Sequence, residues 1–449
     1  MKRLMIAASA ALLIPALASA GMVEHVNRKK IDGIDAIVYP TAIKDVATIL
    51  GALPAGEAFA AADHDNVAVA TLTAMMLDRG TTKEDKFAIA KKLQGVGASL
   101  RFSVQDQTLQ IEARCLKQDL PLVIDLIAEQ LRMPAFSQDE FEKARQQFIG
   151  QMKNAVDNVQ ARSTEAFTRA VFPVGHPNHR PAIDEYLTAA KTLTLDEVKT
   201  FYRKYYGPDH MTLVLVGDVN MSRIQGAVAS SFRGWKGGVD YLRDGKAANS
   251  IEPQDHSITV EIPGKTSTML MVGQATGLRY RDPDTLPLKV GTAVLGSGFT
   301  GRLMHTLRDK EGLTYGISAG VNDDTFADGS WRISATFAPQ LLDRGAASVQ
   351  RELNHWWTDG VTDEELAARK THLIGAYQVG LANTSGVAET VLLAVLRGRD
   401  MTWLDQYPKA VDAVTLRQVN TAIKEHLNPE EMIVVKTGTL PKRRPPASE

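Results

Sequence analysis

Two histidines three residues apart, His176 and His179 in "FPVGHPNHRPA", are the first side chains in this chain that could form part of a metal site. A zinc site needs three or four nitrogen, sulfur or carboxylate donors converging on one point. Pro177 and Pro181 make this stretch a turn, and no carboxylate or cysteine cluster lies beside it, so a turn without metal is expected. His64 lies between Asp63 and Asp65 in "AADHDN", a polar triplet expected to be a solvated turn or a helix cap. "LGSGFTG", from Leu295, is glycine-rich but lacks the Lys-Ser/Thr ending of a phosphate loop. It reads as a tight turn, with a weak anion site at the following helix as the alternative. No G-x-S-x-G nucleophile elbow occurs. Two residues remain, Arg308 and Tyr315 in "LGSGFTGRLMHTLRDKEGLTYGISAGV". From position alone, Arg308 is a cation stabilised by the dipole at a helix end, and Tyr315 is a half-buried residue at a strand start.

The elements that must position these residues are legible from periodicity. "DAIVYP" and "VATILGALPAG" read as strands. "VAVATLTAMMLDRGTT", Val67 to Thr82, reads as an apolar helix ending at Gly80, with no group able to bind metal, move a proton or attack a substrate. "FAIAKKLQGVG" is a second helix ended by glycine, and "SLRFSVQDQTLQIEARCL" is a hairpin. "LPLVIDLIAEQLRM" and "DEFEKARQQFIGQMKNAV" are amphipathic helices. Around Arg308 the pattern gives a glycine loop, a helix from about Gly301 to Asp309, a turn at Gly312 and a strand from Leu313. Strands without regular strand–helix alternation point to an α+β fold.

The chain also repeats itself. "LTLDEVKTFYRKYYGPDHMTLVLVGDV", from Leu193, aligns without a gap on "VTLRQVNTAIKEHLNPEEMIVVKTGTL", from Val414. Each copy has a Thr that can cap a helix (Thr194, Thr415), a Pro turn and an apolar strand. A weaker echo pairs "DEFEKARQQFIGQM", from Asp139, with "DEELAARKTHLIGAY", from Asp363. Two homologous α+β domains are therefore expected, at 21–236 and 257–440, joined by a Gly- and charge-rich linker at 237–256. The tail 441–449, "KRRPPASE" with the residue before it, is expected to be disordered.

Residues 1–20, "MKRLMIAASAALLIPALASA", have the basic start, short apolar run and small-residue site of a cleaved secretory signal. Its removal takes Lys2 and Arg3 and shifts the net charge from −1 to −3. The expected location is outside the cytoplasm, the periplasm if the source is Gram-negative. No other stretch is apolar for long enough to span a membrane. The charge balance gives no reason to expect a nucleic-acid partner. The single cysteine, Cys115, cannot form an internal disulfide and should be a small buried residue on the strand face of Ile111 and Ala113.

"LGSGFTGRLMHTLRDKEGLTYGISA" resembles the second-domain signature of the pitrilysin/insulinase (inverzincin) family, which includes the mitochondrial processing peptidase. "GALPAG", "MLDRGTT", "FPVGHPNHRPAI" and "MTLVLVGDV" extend the resemblance over nearly all of the mature chain. The resemblance implies two facing domains that form a clam-like half chamber. Active members carry H-x-x-E-H on the first-domain helix, and a downstream glutamate completes the zinc ligands. Anchored on "MLDRGTT", those positions here are Thr71, Ala74 and Met75, with the distal ligand at about Gln151. Both histidines, the base and the last carboxylate are absent, so this chain is expected to hold no zinc and no other cofactor. The resemblance also implies that Arg308 and Tyr315 bind the substrate backbone. The expected protein is a non-zinc subunit that binds peptide and completes the site of a zinc-bearing homologous partner. The alternative is a non-catalytic peptide-binding or scaffold protein that keeps the peptidase fold.

Overall fold

The structure, a computed structural model, describes residues 21–243 and 256–440. The expected signal segment 1–20, the tail 441–449 and linker residues 244–255 lie outside the described residues. The described strands form two sheets. The first contains β1 (Asn27–Ile31), β2 (Ile34–Pro40), β3 (Val46–Pro54), β4 (Ser99–Val104), β5 (Thr108–Leu116) and β6 (Thr212–Gly217). The second contains β7 (Ser257–Glu261), β8 (Thr268–Ala275), β9 (Thr314–Asn322), β10 (Ser330–Phe337) and β11 (Ile433–Gly438). Their spatial orders are β1-β2-β6-β3-β5-β4 and β7-β11-β8-β10-β9. Without β1 the two orders correspond strand for strand. Each has one parallel pair, β2 with β6 and β7 with β11, among antiparallel neighbours. The repeat found in the sequence is thus one mixed-sheet, helix-covered domain used twice, and the two copies form the lobes of a clam-like arrangement.

The helices that matter for the site are α1 (Val69–Leu77), α2 (Gln138–Val156), α3 (Val159–Val171), α4 (Leu195–Tyr205), α5 (Thr285–Gly296), α6 (Asp363–Gly380), α7 (Thr384–Leu396), α8 (Trp403–Ala413) and α9 (Leu416–His426). The expected threonine caps are present. Thr194 and Thr415 form capping boxes with Glu197 and Gln418, so two orphan amides are satisfied at each helix start. The strands that follow both end on a glycine with positive φ, +140° at Gly217 and +126° at Gly438. A Cβ at Gly217 would lie 2.0 Å from the Val46 carbonyl oxygen, so the crossing fits only glycine.

Two elements differ from the sequence reading. Helix α1 stops at Leu77, not Gly80, because Arg79 turns back onto the Met76 carbonyl and Gly80 takes φ +105°. The helix carrying Arg308 is π-helical over Met304–Lys310, with the Glu311 amide bonded to the Thr306 carbonyl at 3.0 Å. Periodicity cannot reveal this, because widening a single turn leaves the apolar spacing of so short a helix intact.

The two halves exchange a helix. In β6, Leu213 and Leu215 face the first domain's own core, whereas Val214 and Val216 pack against Val387, Ala388, Val391 and Leu392 of α7 from the second half. In β8, Leu270 and Val272 face the second core, whereas Met269 and Met271 pack against Phe167, Ala170 and Val171 of α3 from the first half. Both exchanged helices begin at an asparagine, Asn158 or Asn383, whose side chain caps the first turn. Polar contacts join the halves as well. Thr48 and Thr384 share a buried hydroxyl hydrogen bond of 2.8 Å. The Asn178 amide donates to the carbonyls of Asp323 and Asp328 at 2.8 and 2.9 Å.

Cys115 lies buried on the face of Ile111 and Ala113, and burial pushes its thiol up to about 11. Such a thiol is unreactive near neutral pH. Among the described residues no single helix is long and apolar enough to cross a membrane.

The exchange gives a direct test. Phe167 is fully buried between α3 and the second sheet. Phe167→Ala should cost about 3–5 kcal/mol, as aromatic truncations in a packed core do. Chemical denaturation should show both halves destabilised together. Separate transitions with only one shifted would mean that the exchange does not couple them.

Candidate functional site

Arg308 sits half-buried in the π-helical turn, and Tyr315 lies on β9, the edge strand of the second sheet. Gly312, at φ +63°, turns the chain between them. Tyr315 is 94 % exposed, so the half-buried placement expected from its strand position is corrected. The first residues of β9 stand at the sheet edge with no strand outside them to cover the ring. The Arg308 guanidinium lies 5.1 Å from the ring centroid of Phe299, itself 72 % exposed. Phe299 was not singled out in the sequence, although a phenylalanine inside a glycine turn is a signal of exposure. Among the described residues neither Arg308 nor the Tyr315 hydroxyl has a side-chain hydrogen bond or ion pair. The arginine thus rests on an exposed aromatic face, and the phenol stands in solvent seven residues on.

The glycine turn behind them is firmly held. Arg369, 6 % exposed, donates to the Ser297 carbonyl at 2.9 Å and to the Thr300 hydroxyl at 3.3 Å. Arg302, six residues before Arg308, makes two 2.6 Å contacts to the Glu365 carboxylate at the start of α6. This pair and the Thr362 cap hold Glu365 down at about 2.

The four positions that the resemblance implies for a zinc motif divide into two groups. Thr71 and Gln151 line one cavity of about 440 Å³, together with Glu57, Glu165, Arg180 and Tyr186. Ala74 is buried and Met75 is packed against the first core. Thr71 donates to Glu57 Oε1 at 3.0 Å, and the Tyr186 hydroxyl donates to Glu57 Oε2 at 2.8 Å. Desolvation raises the Glu57 carboxyl above its ordinary value, opposed by these two hydrogen bonds and by Arg180. Arg180 is held in turn by Asp106 at 2.7 Å. Glu57 went unremarked in the sequence, yet a lone carboxylate in "GALPAGEAFAAA" is a visible anomaly in an apolar run.

These donors do not fit zinc. The Thr71 hydroxyl is committed to Glu57, Ala74 and Met75 offer no imidazole or base, and Gln151 presents a neutral amide. His176 and His179 do not form a metal pair either. His176 Nδ1 accepts from the Asn178 amide at 3.1 Å, and its ring stacks on Phe172. Burial pushes His176 down, toward the neutral form. His179 Nδ1 lies 2.8 Å from the Phe172 carbonyl, where it donates. His64 occupies an exposed turn at φ +58°. Among the described residues one trio of potential ligands occurs, Asp284, Glu425 and His426, where α9 ends against the start of α5. There His426 pairs with Asp284 at 3.1 Å, an arrangement that both helix dipoles favour.

Two tests follow. Tag-free protein should contain no stoichiometric zinc by metal analysis, and Thr71→His with Met75→His should not create hydrolysis, because Ala74 supplies no base. One tightly held zinc in the unaltered chain would contradict this. The second test concerns Glu57. Its native pKa lies above the unfolded value near 4.5, so the native state takes up the proton more readily. The associated stability is fully present below that value and is lost as pH rises through the native pKa. Glu57→Gln should therefore raise the unfolding temperature at about pH 8, with the gain vanishing near about pH 4.

The family model described as "Insulinase (Peptidase family M16)" matches residues 59–180, and the one described as "Peptidase M16 inactive domain" matches residues 192–373. An uncharacterized zinc protease of Streptomyces coelicolor is 25 % identical over 364 residues, covering 78 % of this chain and 76 % of its own. A non-peptidase homologue of Helicobacter pylori is 23 % identical over 368 residues, covering 81 % and 83 %. Among solved structures, a peptidase M16 inactive domain from Pseudomonas fluorescens matches with a TM-score of 0.83 at 23 % identity, over 94 % of this chain and 100 % of that one. The periplasmic protease PqqL from Escherichia coli matches with a TM-score of 0.75 at 13 % identity, over 98 % of this chain and 48 % of that one. The two models run in series along the chain, the second from α4 and β6 of the first lobe into the second lobe, and this chain is an M16/insulinase-family (inverzincin) peptidase homologue with an inactive C-terminal domain.

Proposed function

We propose that this protein is the non-zinc subunit of an exported heterodimeric metallopeptidase, binding peptide and completing the active site of a zinc-bearing homologous partner. One observation carries the reading. The zinc positions have lost their donors, while on the second lobe Tyr315 stands exposed and the half-buried Arg308 has no hydrogen bond or ion pair among the described residues. An arginine fork suits a peptide carbonyl or terminal carboxylate. The Tyr315 hydroxyl suits the oxyanion that develops on a scissile carbonyl, where a preorganised donor is worth most. The exposed Phe299 ring beside Arg308 would cover an apolar substrate side chain. The leader-like residues 1–20 and the periplasmic location in the name of the E. coli relative support export to the periplasm.

A shared chamber implies a large interface with the partner. Co-expression with a zinc-bearing homologue exported to the same compartment should yield a stable complex on gel filtration. In that complex Tyr315→Phe should lower kcat by about 10²–10³, the usual loss for one oxyanion donor. Arg308→Ala should mainly raise KM. Neither change should alter assembly, because neither side chain makes a hydrogen bond or ion pair among the described residues. A partner that cleaves peptides equally well alone and never co-purifies would leave this chain as a peptide-binding scaffold.

A further inference from the structure

A separate cavity of about 350 Å³ lies inside the second half, walled by α5, α6, α7 and α8, and it shares no lining residue with the Thr71–Gln151 cavity. Three cations enter it around a single ring. The Arg397 guanidinium stacks 3.9 Å from the Tyr280 centroid, Lys289 Nζ lies at 4.4 Å and the Arg399 guanidinium at 5.4 Å. Arg399 also lies 4.2 Å from the Trp403 centroid. No aspartate or glutamate lines the cavity. Asp324, behind it, pairs with Lys289 at 2.5 Å. Among the described residues Arg397 and Arg399 have no ion pair. Their recorded polar contacts are Arg397 to the Thr325 hydroxyl at 3.4 Å and Arg399 to the Tyr280 carbonyl at 3.3 Å. Arg399 Nε is buried without a partner.

Three cations against one carboxylate leave a surplus of two positive charges in a partly desolvated space. Unpaired charge in such a place is costly unless an anion completes it. Burial pushes Lys289 down, Asp324 opposes the shift, and Arg397 and Arg399 add smaller pushes downward. The opposite wall is apolar, with Leu286, Leu373 and Leu393 beside Tyr377 and Tyr407. The volume falls at the small end of the range for ligand pockets.

We propose that this cavity is a binding site for a carboxylate with a flat apolar body, its charge held by Arg397 and Arg399 and its ring lying among Tyr280, Trp403 and Tyr407. A free aromatic acid and the C-terminal residue of a peptide share this chemistry. The inference does not rest on the heterodimer reading, because the cavity is complete within one chain.

Isothermal titration of the full mature protein with N-acetyl-phenylalanine, its amide, and Gly-Gly-Phe tests it. The acid should bind at least about tenfold more tightly than the amide, since the amide offers the same ring without the charge. Arg397→Gln with Arg399→Gln should abolish that difference while circular dichroism stays unchanged. Gly-Gly-Phe binding as tightly as the acid identifies a peptide terminus as the occupant, and binding of the acid alone identifies a small free acid. Equal binding of acid and amide, or no binding of either carboxylate at millimolar concentration, overturns the proposal. The acid–amide comparison on the unaltered protein stands even if the double variant fails to fold.

Discussion

The exchange of one helix between the two halves is the constraint on which this structure depends. A central strand with apolar side chains on both faces must be covered twice. In β6 and β8 each half supplies one cover from its own helices and takes the other from its partner half: α7 lies on Val214 and Val216, and α3 on Met269 and Met271. Neither half could stand alone without exposing a full apolar sheet face. The duplication is thus more than two beads on a string. Each copy closes the other's core, and the relative placement of the lobes follows from side-chain packing, to which Tyr241 of the linker adds a ring stacked on Phe326.

That packing also fixes where polar groups meet. Helix α3 leads from the second sheet into the turn at Phe172–Ala182, and Asn178 of that turn ties down the carbonyls of Asp323 and Asp328 at the end of β9 and before β10. His176 and His179 serve this turn. The His176 ring, buried in this inter-lobe seam, is pushed toward its neutral form by that burial. At its far end α7 reaches the turn carrying Arg397 and Arg399, so the helix that closes the first sheet also forms a wall of the cationic cavity.

A helix can carry metal ligands or none and keep its place, because ligation and packing depend on different atoms. The packing of α1 rests on its buried apolar side chains, Ala74 and Met75 among them. Burial of such side chains contributes roughly 25 cal/mol for each Å² of apolar surface removed from water. The Glu57 carboxylate accepts hydrogen bonds from Thr71 and Tyr186. On the second lobe the opposite holds. Arg308 packs only on the exposed Phe299 ring and Tyr315 is exposed, and the rigidity around them comes from Arg302, Glu365 and Arg369.

The sequence by itself determined the repeat, the threonine caps, the hairpins and the buried face of Cys115, because these follow from local periodicity and from backbone groups satisfied within a few residues. It also determined the absence of zinc donors in α1, since residue identity alone decides that. It placed Arg308 and Tyr315 on a helix–turn–strand but misjudged the exposure of Tyr315, which depends on β9 being an edge strand. The π-turn under Arg308 was invisible, because a change in hydrogen-bond register leaves no compositional mark. The helix exchange, the pairing of Glu57 with Thr71 and Tyr186, and the gathering of Lys289, Arg397 and Arg399 around Tyr280 were decided only in the tertiary structure. Each joins residues far apart in the chain, and one sequence carries no record of distance across the fold.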